Sequence, residues 1–292
     1  KSEFGRGAGV MAMGAQSVDQ VVATIGNPGA DHVEHIHKLL RTLPDEVRTG
    51  LATPDGAKGI VLGLLVPEAA ADTDLRGVLE GHVDIAVIEQ ARWLAGPLVT
   101  LDGHLKLPLA ALAFPVLRAL PNAERERFVQ AVRAIVAIDN KVTPFEFALT
   151  AMLRQQLGER GASRGQARRI VPLKSVEADA ATLLSLFVRA ASQGSTLFDQ
   201  MAAKLGLTGA ELLPPSRVSL TTVEVALARL VHLAPADKSR VIRVCLEAVL
   251  SDSRVSVREG ELMRAVCAVL DTPLPPIIDR SVVVPEMPGV SV

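Results

Sequence analysis

The sequence predicts an all-α protein of two related helical halves, each containing a helix–turn–helix hairpin. Three observations predict it. Residues 128–157, FVQAVRAIVAIDNKVTPFEFALTAMLRQQL, return without a gap as VIRVCLEAVLSDSRVSVREGELMRAVCAVL, with Asp139 set over Asp252 at an offset of 113 residues. Internal repeats of this kind define the architecture before any single element does. Aliphatic residues, chiefly Ala, Leu and Val, carry the hydrophobicity, while tyrosine is absent and Trp93 is the only tryptophan, a balance that favours helix over sheet. Helix-start signals then recur at matching places in both copies.

The repeat holds over its whole length. Asp139/Asp252, Val142/Val255, Glu146/Glu259, Leu149/Leu262 and Leu157/Leu270 are identical pairs, and Leu117/Leu230, Leu120/Leu233, Ala123/Ala236 and Arg127/Arg240 extend it backwards. In the first copy Phe128, Val132, Ile135 and Val136 share one helical face, as do Leu149, Met152, Leu153 and Leu157. The break falls at Asp139-Asn140-Lys141-Val142. Thr143 then offers an N-cap, Pro144 a first helical residue, and Glu146 a side chain that reaches back to close a capping box. Ser256-Val257-Arg258-Glu259 repeats the device without the proline.

Taken from the start, residues 1–16 read as a flexible lead-in, and Lys1-Ser2-Glu3-Phe4 as a cloning scar on an excised fragment. The first helical half spans 17–157. Ser17 or Asp19 caps a short helix through Ile25, and Asp31 opens a second that ends at Pro44. Short helices follow at 44–51 and 54–65, then a connection over 67–80. An amphipathic helix is expected over 81–95, with Val83, Ile85, Ala86, Ile88 and Trp93 giving the apolar surface. Residues 107–120 are apolar nearly all round and are expected to be the buried central helix of this half. The first hairpin closes it.

Residues 158–174 are a basic linker, with Arg160, Arg164, Arg168, Arg169 and Lys174 against the single acid Glu159. The second half spans 175–278. It opens on Ser175 and Glu177, continues through a short helix at 196–205 and a Pro-containing loop at 206–219, and places 220–233 where the first half has 107–120. The second hairpin follows at 240–270, and residues 279–292 form a tail.

Several functions are disfavoured by composition. Thirty-one Lys and Arg against thirty-two Asp and Glu leave a net charge of −1, so no large electrostatic footprint for nucleic acid is expected. No apolar run reaches the ~20 residues that span a bilayer, and the opening lacks a signal-peptide core. Cys245 and Cys267 form no CxxC pair and read as small buried hydrophobes in a reducing, cytoplasmic compartment, with a disulfide between the two hairpin helices as the alternative. Residues 55–59 are glycine-rich without the order of a phosphate loop. His32, His35 and His37, with Asp31 or Glu34, are the densest group of metal-type ligands, yet His37 falls on the far side of the helix and HExxH is not formed. No catalytic, cofactor or metal residue is assigned.

Two resemblances meet in these residues. Each hairpin resembles the TerB-like (tellurite-resistance) helical module, whose paired helices join at a D-x-x-V-[ST]-x-x-E turn: Asp139, Val142, Thr143, Glu146, and again Asp252, Val255, Ser256, Glu259. The wider order looks like the C-terminal soluble region of bacterial membrane-bound zinc metallopeptidases of the HtpX type, over 21–28, 32–44, 56–65, 128–157 and 262–278. That resemblance implies a parent with a membrane-anchored protease domain ahead of Lys1, with zinc held there. Since this chain has no HExxH, no catalytic residue carries over. The expected role is a non-catalytic, cytoplasmic accessory module that meets a protein partner: a substrate, an adaptor or its own protease domain. The alternative is a free-standing TerB-like module responding to metal or stress through Asp139, Glu146, Asp252 and Glu259, against which Lys141 and Arg254 stand where a cation loop wants acids.

Overall fold

A computed structural model describes residues 11–12, 43–66, 74–138, 142–157, 170–252 and 254–272. The helices expected over 17–25 and from Asp31, the linker residues 158–169 and the tail 279–292 lie outside the described residues.

The described residues hold twelve α-helices, so the all-α class stands. Helix α1 (Asp45–Gly50) turns directly into α2 (Pro54–Leu65), whose start is set by Thr53, which accepts from Gly56 N at 3.2 Å, and by Pro54 behind it. Every residue of α2 from Gly56 to Leu65 is buried. After α3 (Leu75–Leu79), Gly81 takes φ +81°, a left-handed turn that ends the helix and delays the next one to α4 (Ile85–Val99). α5 (Gly103–Arg118) begins at Asp102, whose Oδ1 accepts from His104 N at 2.8 Å.

Two expectations are corrected here. The helix expected over 81–95 is displaced towards the C-terminus and rotated: Val87, Ile88, Ala91, Leu94 and Leu98 face the core, while Ile85 and Trp93 face outward. The buried central helix of this half is α2 rather than the 107–120 segment, because α2 carries no charge after Lys58 and both α4 and α5 pack over it. α5 is largely buried but leaves Pro115 and Arg118 exposed.

The first hairpin is α6 (Asn122–Val136) with α7 (Pro144–Leu157). A 3-10 turn at Leu173–Val176 leads into α8 (Glu177–Ala190), then α9 (Ser195–Leu205), α10 (Leu220–Leu230), α11 (Pro235–Val249) and α12 (Val257–Leu270). Shifting α6 and α7 by 113 residues reproduces both ends of α11 and of α12. Burial follows the repeat: Leu117/Leu230, Leu120/Leu233, Leu149/Leu262 and Leu157/Leu270 are all core, and Arg127/Arg240 are both exposed.

The related helices α7 and α12 pack against each other, and their C-terminal ends meet where Gln155 Nε2 donates to Asp271 Oδ1 at 2.9 Å. Lys106 of α5 lies over the Phe145 ring of α7, 5.3 Å from its centroid. One continuous cluster of buried side chains runs from Leu43 to Leu270, through both halves. Two residues of the lead-in are ordered against this body: strand β1 (Met11–Ala12) pairs antiparallel with β2 (Arg254–Val255) beside the second hairpin turn. At the linker's end Val171 N donates to His232 O at 3.1 Å. Among the described residues no helix is long and apolar enough to cross a membrane.

Candidate functional site

The two hairpin turns carry the sequence motif, and both capping boxes form. Thr143 N donates to Glu146 Oε2 at 2.8 Å while Glu146 N donates to Thr143 Oγ1 at 3.2 Å. Ser256 N donates to Glu259 Oε2 at 2.8 Å and Glu259 N to Ser256 Oγ at 3.3 Å. The Ser256 hydroxyl donates to the same Oε2 at 2.7 Å. Both glutamates are buried, so each carboxylate satisfies backbone donors that water does not reach. Glu259 Oε1 is buried with no hydrogen-bond partner among the described residues.

The copies differ one residue before the cap. Val142 is 46% exposed, whereas Val255, paired with β1, is 1% exposed. Replacing Ser256 by alanine removes one cap and strands a buried carboxylate, with an expected loss of ~1 kcal/mol or more. Urea unfolding of Ser256→Ala beside wild type measures it; a midpoint that does not move removes the cap from the account of this turn.

Of the other candidates, Asp31, His32, Glu34, His35, His37, Asp139 and Lys141 lie outside the described residues, as do the side chains of Asp252 and Arg254. Among the described residues no three His, Cys, Asp or Glu side chains are grouped as metal ligands. Cys245 and Cys267 are free thiols in the core. Burial pushes both up, Cys267 to about 12 despite Arg264, and Cys245 further because Cys267 is near it. Such thiols stay protonated at neutral pH and are poor nucleophiles.

A concavity lies in the first half, in a place the motifs do not mark. A cleft of about 420 Å³ opens between α2, α3, the turn before α4, and α6. Its apolar lining is Val83, Ile85, Ile88 and Phe128. Its fixed charges are Lys58, Arg76 and Arg127 against Glu80, Asp84 and Glu124, with His82 among them. Lys58 is buried, and its ammonium donates to Glu124 and to Asp55, the latter at 3.2 Å. Burial alone lowers the ammonium's pKa, but these two carboxylates outweigh it and leave Lys58 raised above its ordinary 10.5. The lysine is therefore a fixed cation, unsuited to act as a neutral amine nucleophile at pH 7.

A raised lysine pKa stabilises the fold fully below 10.5, and that contribution disappears as pH climbs through the higher folded value. Wild type should therefore lose stability above pH 10.5 more steeply than Lys58→Met, measured as urea midpoints across that range. Parallel pH profiles would remove the ion pairs from the account of α2. Sequence reasoning passed over Lys58. The available signal was a single lysine in an otherwise apolar helix with Asp55 three residues before it, a spacing that places both on one face.

The remaining buried acid, Asp179 of α8, is pushed up by its burial and drawn back by Arg229 of α10, which donates to it at 3.4 Å. It ties two helices together. No family model, curated protein or solved structure matches the chain.

Proposed function

We propose that this chain is a non-catalytic accessory module of a membrane-anchored zinc metallopeptidase, whose protease domain lies outside it, and that the Lys58 cleft seats a polypeptide segment. The observation that carries this reading is the make-up of the cleft. Three fixed cations and three fixed anions surround an apolar floor. A ligand of one sign gains from half of that lining and is repelled by the rest. A chain segment bringing both signs and an apolar side chain matches all of it. The motif glutamates support a non-catalytic role, since Glu146 and Glu259 close helix ends.

On this reading the module sits at the cytoplasmic face of the membrane and hands a substrate or adaptor to the protease, or docks on the protease domain. The first test is the reading frame ahead of Lys1. Membrane spans followed by HExxH support the reading, and a frame that starts within the first sixteen residues overturns it. In the former case, a photo-crosslinker replacing Glu80 at the cleft rim should join the module to the protease domain or its substrate. Arg76→Glu combined with Arg127→Glu should abolish that crosslink.

One observation favours a second reading, a free-standing module responding to metal. Glu259 Oε1 is a buried carboxylate oxygen beside the second turn without a protein partner among the described residues. Manganese or calcium titration of the whole chain, followed by calorimetry, tests it. Saturable binding lost in Glu259→Gln supports that reading, and its absence removes it.

A further inference from the structure

Among the described residues nothing covers the outer face of α4. Ile85, Trp93 and Val99 are 49%, 57% and 58% exposed, three of the large apolar side chains most open to solvent. Glu89, Arg92 and Gly96 are exposed beside them. Ile85, Glu89, Arg92, Gly96 and Val99 follow one another at steps of four, three, four and three residues, the spacing of a straight seam along a helix. Trp93 stands at the edge of that seam.

Two features say what fits it. First, the two ends of the seam match. Arg92 is the middle residue of Ile85–Val99, and an aliphatic side chain stands at each terminus. Second, Glu89 and Arg92 have no ion-pair or hydrogen-bond partner among the described residues, although they carry opposite charge three positions apart. A bilayer surface is a poor match for a seam with a carboxylate near its centre. A surface of one charge sign is also a poor match. A copy of the same helix running the other way sets aliphatic against aliphatic at both ends and brings each Glu89 within reach of the opposite Arg92.

We propose that α4 is the contact surface of a homodimer, in which two copies of the chain pack their α4 helices antiparallel about a two-fold axis at Arg92. The axis sets Ile85 against the partner's Val99, and Val99 against the partner's Ile85. Each guanidinium turns away from the other, toward the Glu89 carboxylate of the opposite copy, about 4.5 Å further along the axis. A Cβ at Gly96 would meet nothing within 4 Å, so the seam is open there and the backbones can approach. Isologous contacts of this kind close on themselves and stop at two copies. A single helix seam is small beside the ~800 Å² per partner of a standard interface, so the dimer is reversible.

Trp93 makes the test direct, because the chain has no other tryptophan and no tyrosine. Sedimentation equilibrium and tryptophan emission are recorded on the full chain from nanomolar to hundreds of micromolar. The expected result is a doubling of mass with a blue shift of Trp93 over the same concentration range. Glu89→Arg and Arg92→Glu should each weaken the dimer at least tenfold, without changing the circular-dichroism melt of the dilute protein. Mixing those two variants should restore a dimer, because each then supplies the charge the other lacks. A chain that stays monomeric throughout overturns the proposal. So does a dimer indifferent to both variants, or a Trp93 shift produced by lipid vesicles in a protein that does not self-associate.

Discussion

Gly56→Ala is expected to lower stability by about 3 kcal/mol, the upper end of what overpacking a tight site costs. A Cβ at this position would stand 2.3 Å from Gly50 O and 2.5 Å from Gly50 Cα. Both are backbone atoms, so no side chain can swing aside to make room. The turn between α1 and α2 would have to open, and Val47, fully buried beneath it, would lose its seat. The same methyl group would crowd Thr53 Oγ1, at 2.7 Å, and disturb the cap that starts α2. Urea unfolding measures the loss as a lower midpoint at unchanged slope. A variant within about 0.5 kcal/mol of wild type, the range of an ordinary surface change, would mean that α1 does not approach α2 this closely.

Phe128→Ala should be at least as severe, about 3–5 kcal/mol, because a buried aromatic side chain is removed from a site that collapses only partly. Phe128 is fully buried in α6 and lines the cleft together with Lys58 and Glu124. Its counterpart in the second copy is Val241, also buried. The fold therefore accommodates a smaller side chain at this repeat position where the neighbours have adjusted to it. Phe128→Val should accordingly cost clearly less than Phe128→Ala. Equal midpoints for the two variants would show that shape at this site matters little and would weaken the assignment of Phe128 to the cleft floor.

What the sequence disclosed and what it withheld divide along physical lines. The hairpins were legible because their determinants are local: an apolar period, a Thr or Ser cap, and a glutamate three residues on all lie within one helical turn of each other. The repeat added a second reading of the same signals, and the boundaries of α6, α7, α11 and α12 agree with it residue for residue. The face of α4 was not legible. Trp93 is the most hydrophobic-looking residue of its helix, yet Val87, Ile88, Ala91, Leu94 and Leu98 form the broader stripe and win the core. The cleft was hidden for another reason. Lys58, Arg76, His82 and Arg127 come from three separate segments, and only tertiary packing brings them to one opening.

The pairing of α7 with α12 also bears on how such a chain could arise. A single hairpin exposes the apolar side of its second helix and can cover it only by finding another molecule. Here both hairpins belong to one polypeptide, so the encounter is intramolecular and independent of protein concentration. Fusion of two identical genes would produce this arrangement in one step and would free each copy from the demands of symmetry. The two copies differ accordingly: Val255 pairs with Met11 and is buried while Val142 stands in solvent, and Phe128 has Val241 as its counterpart. Each copy thus supplies the cover for the other's second helix within one polypeptide.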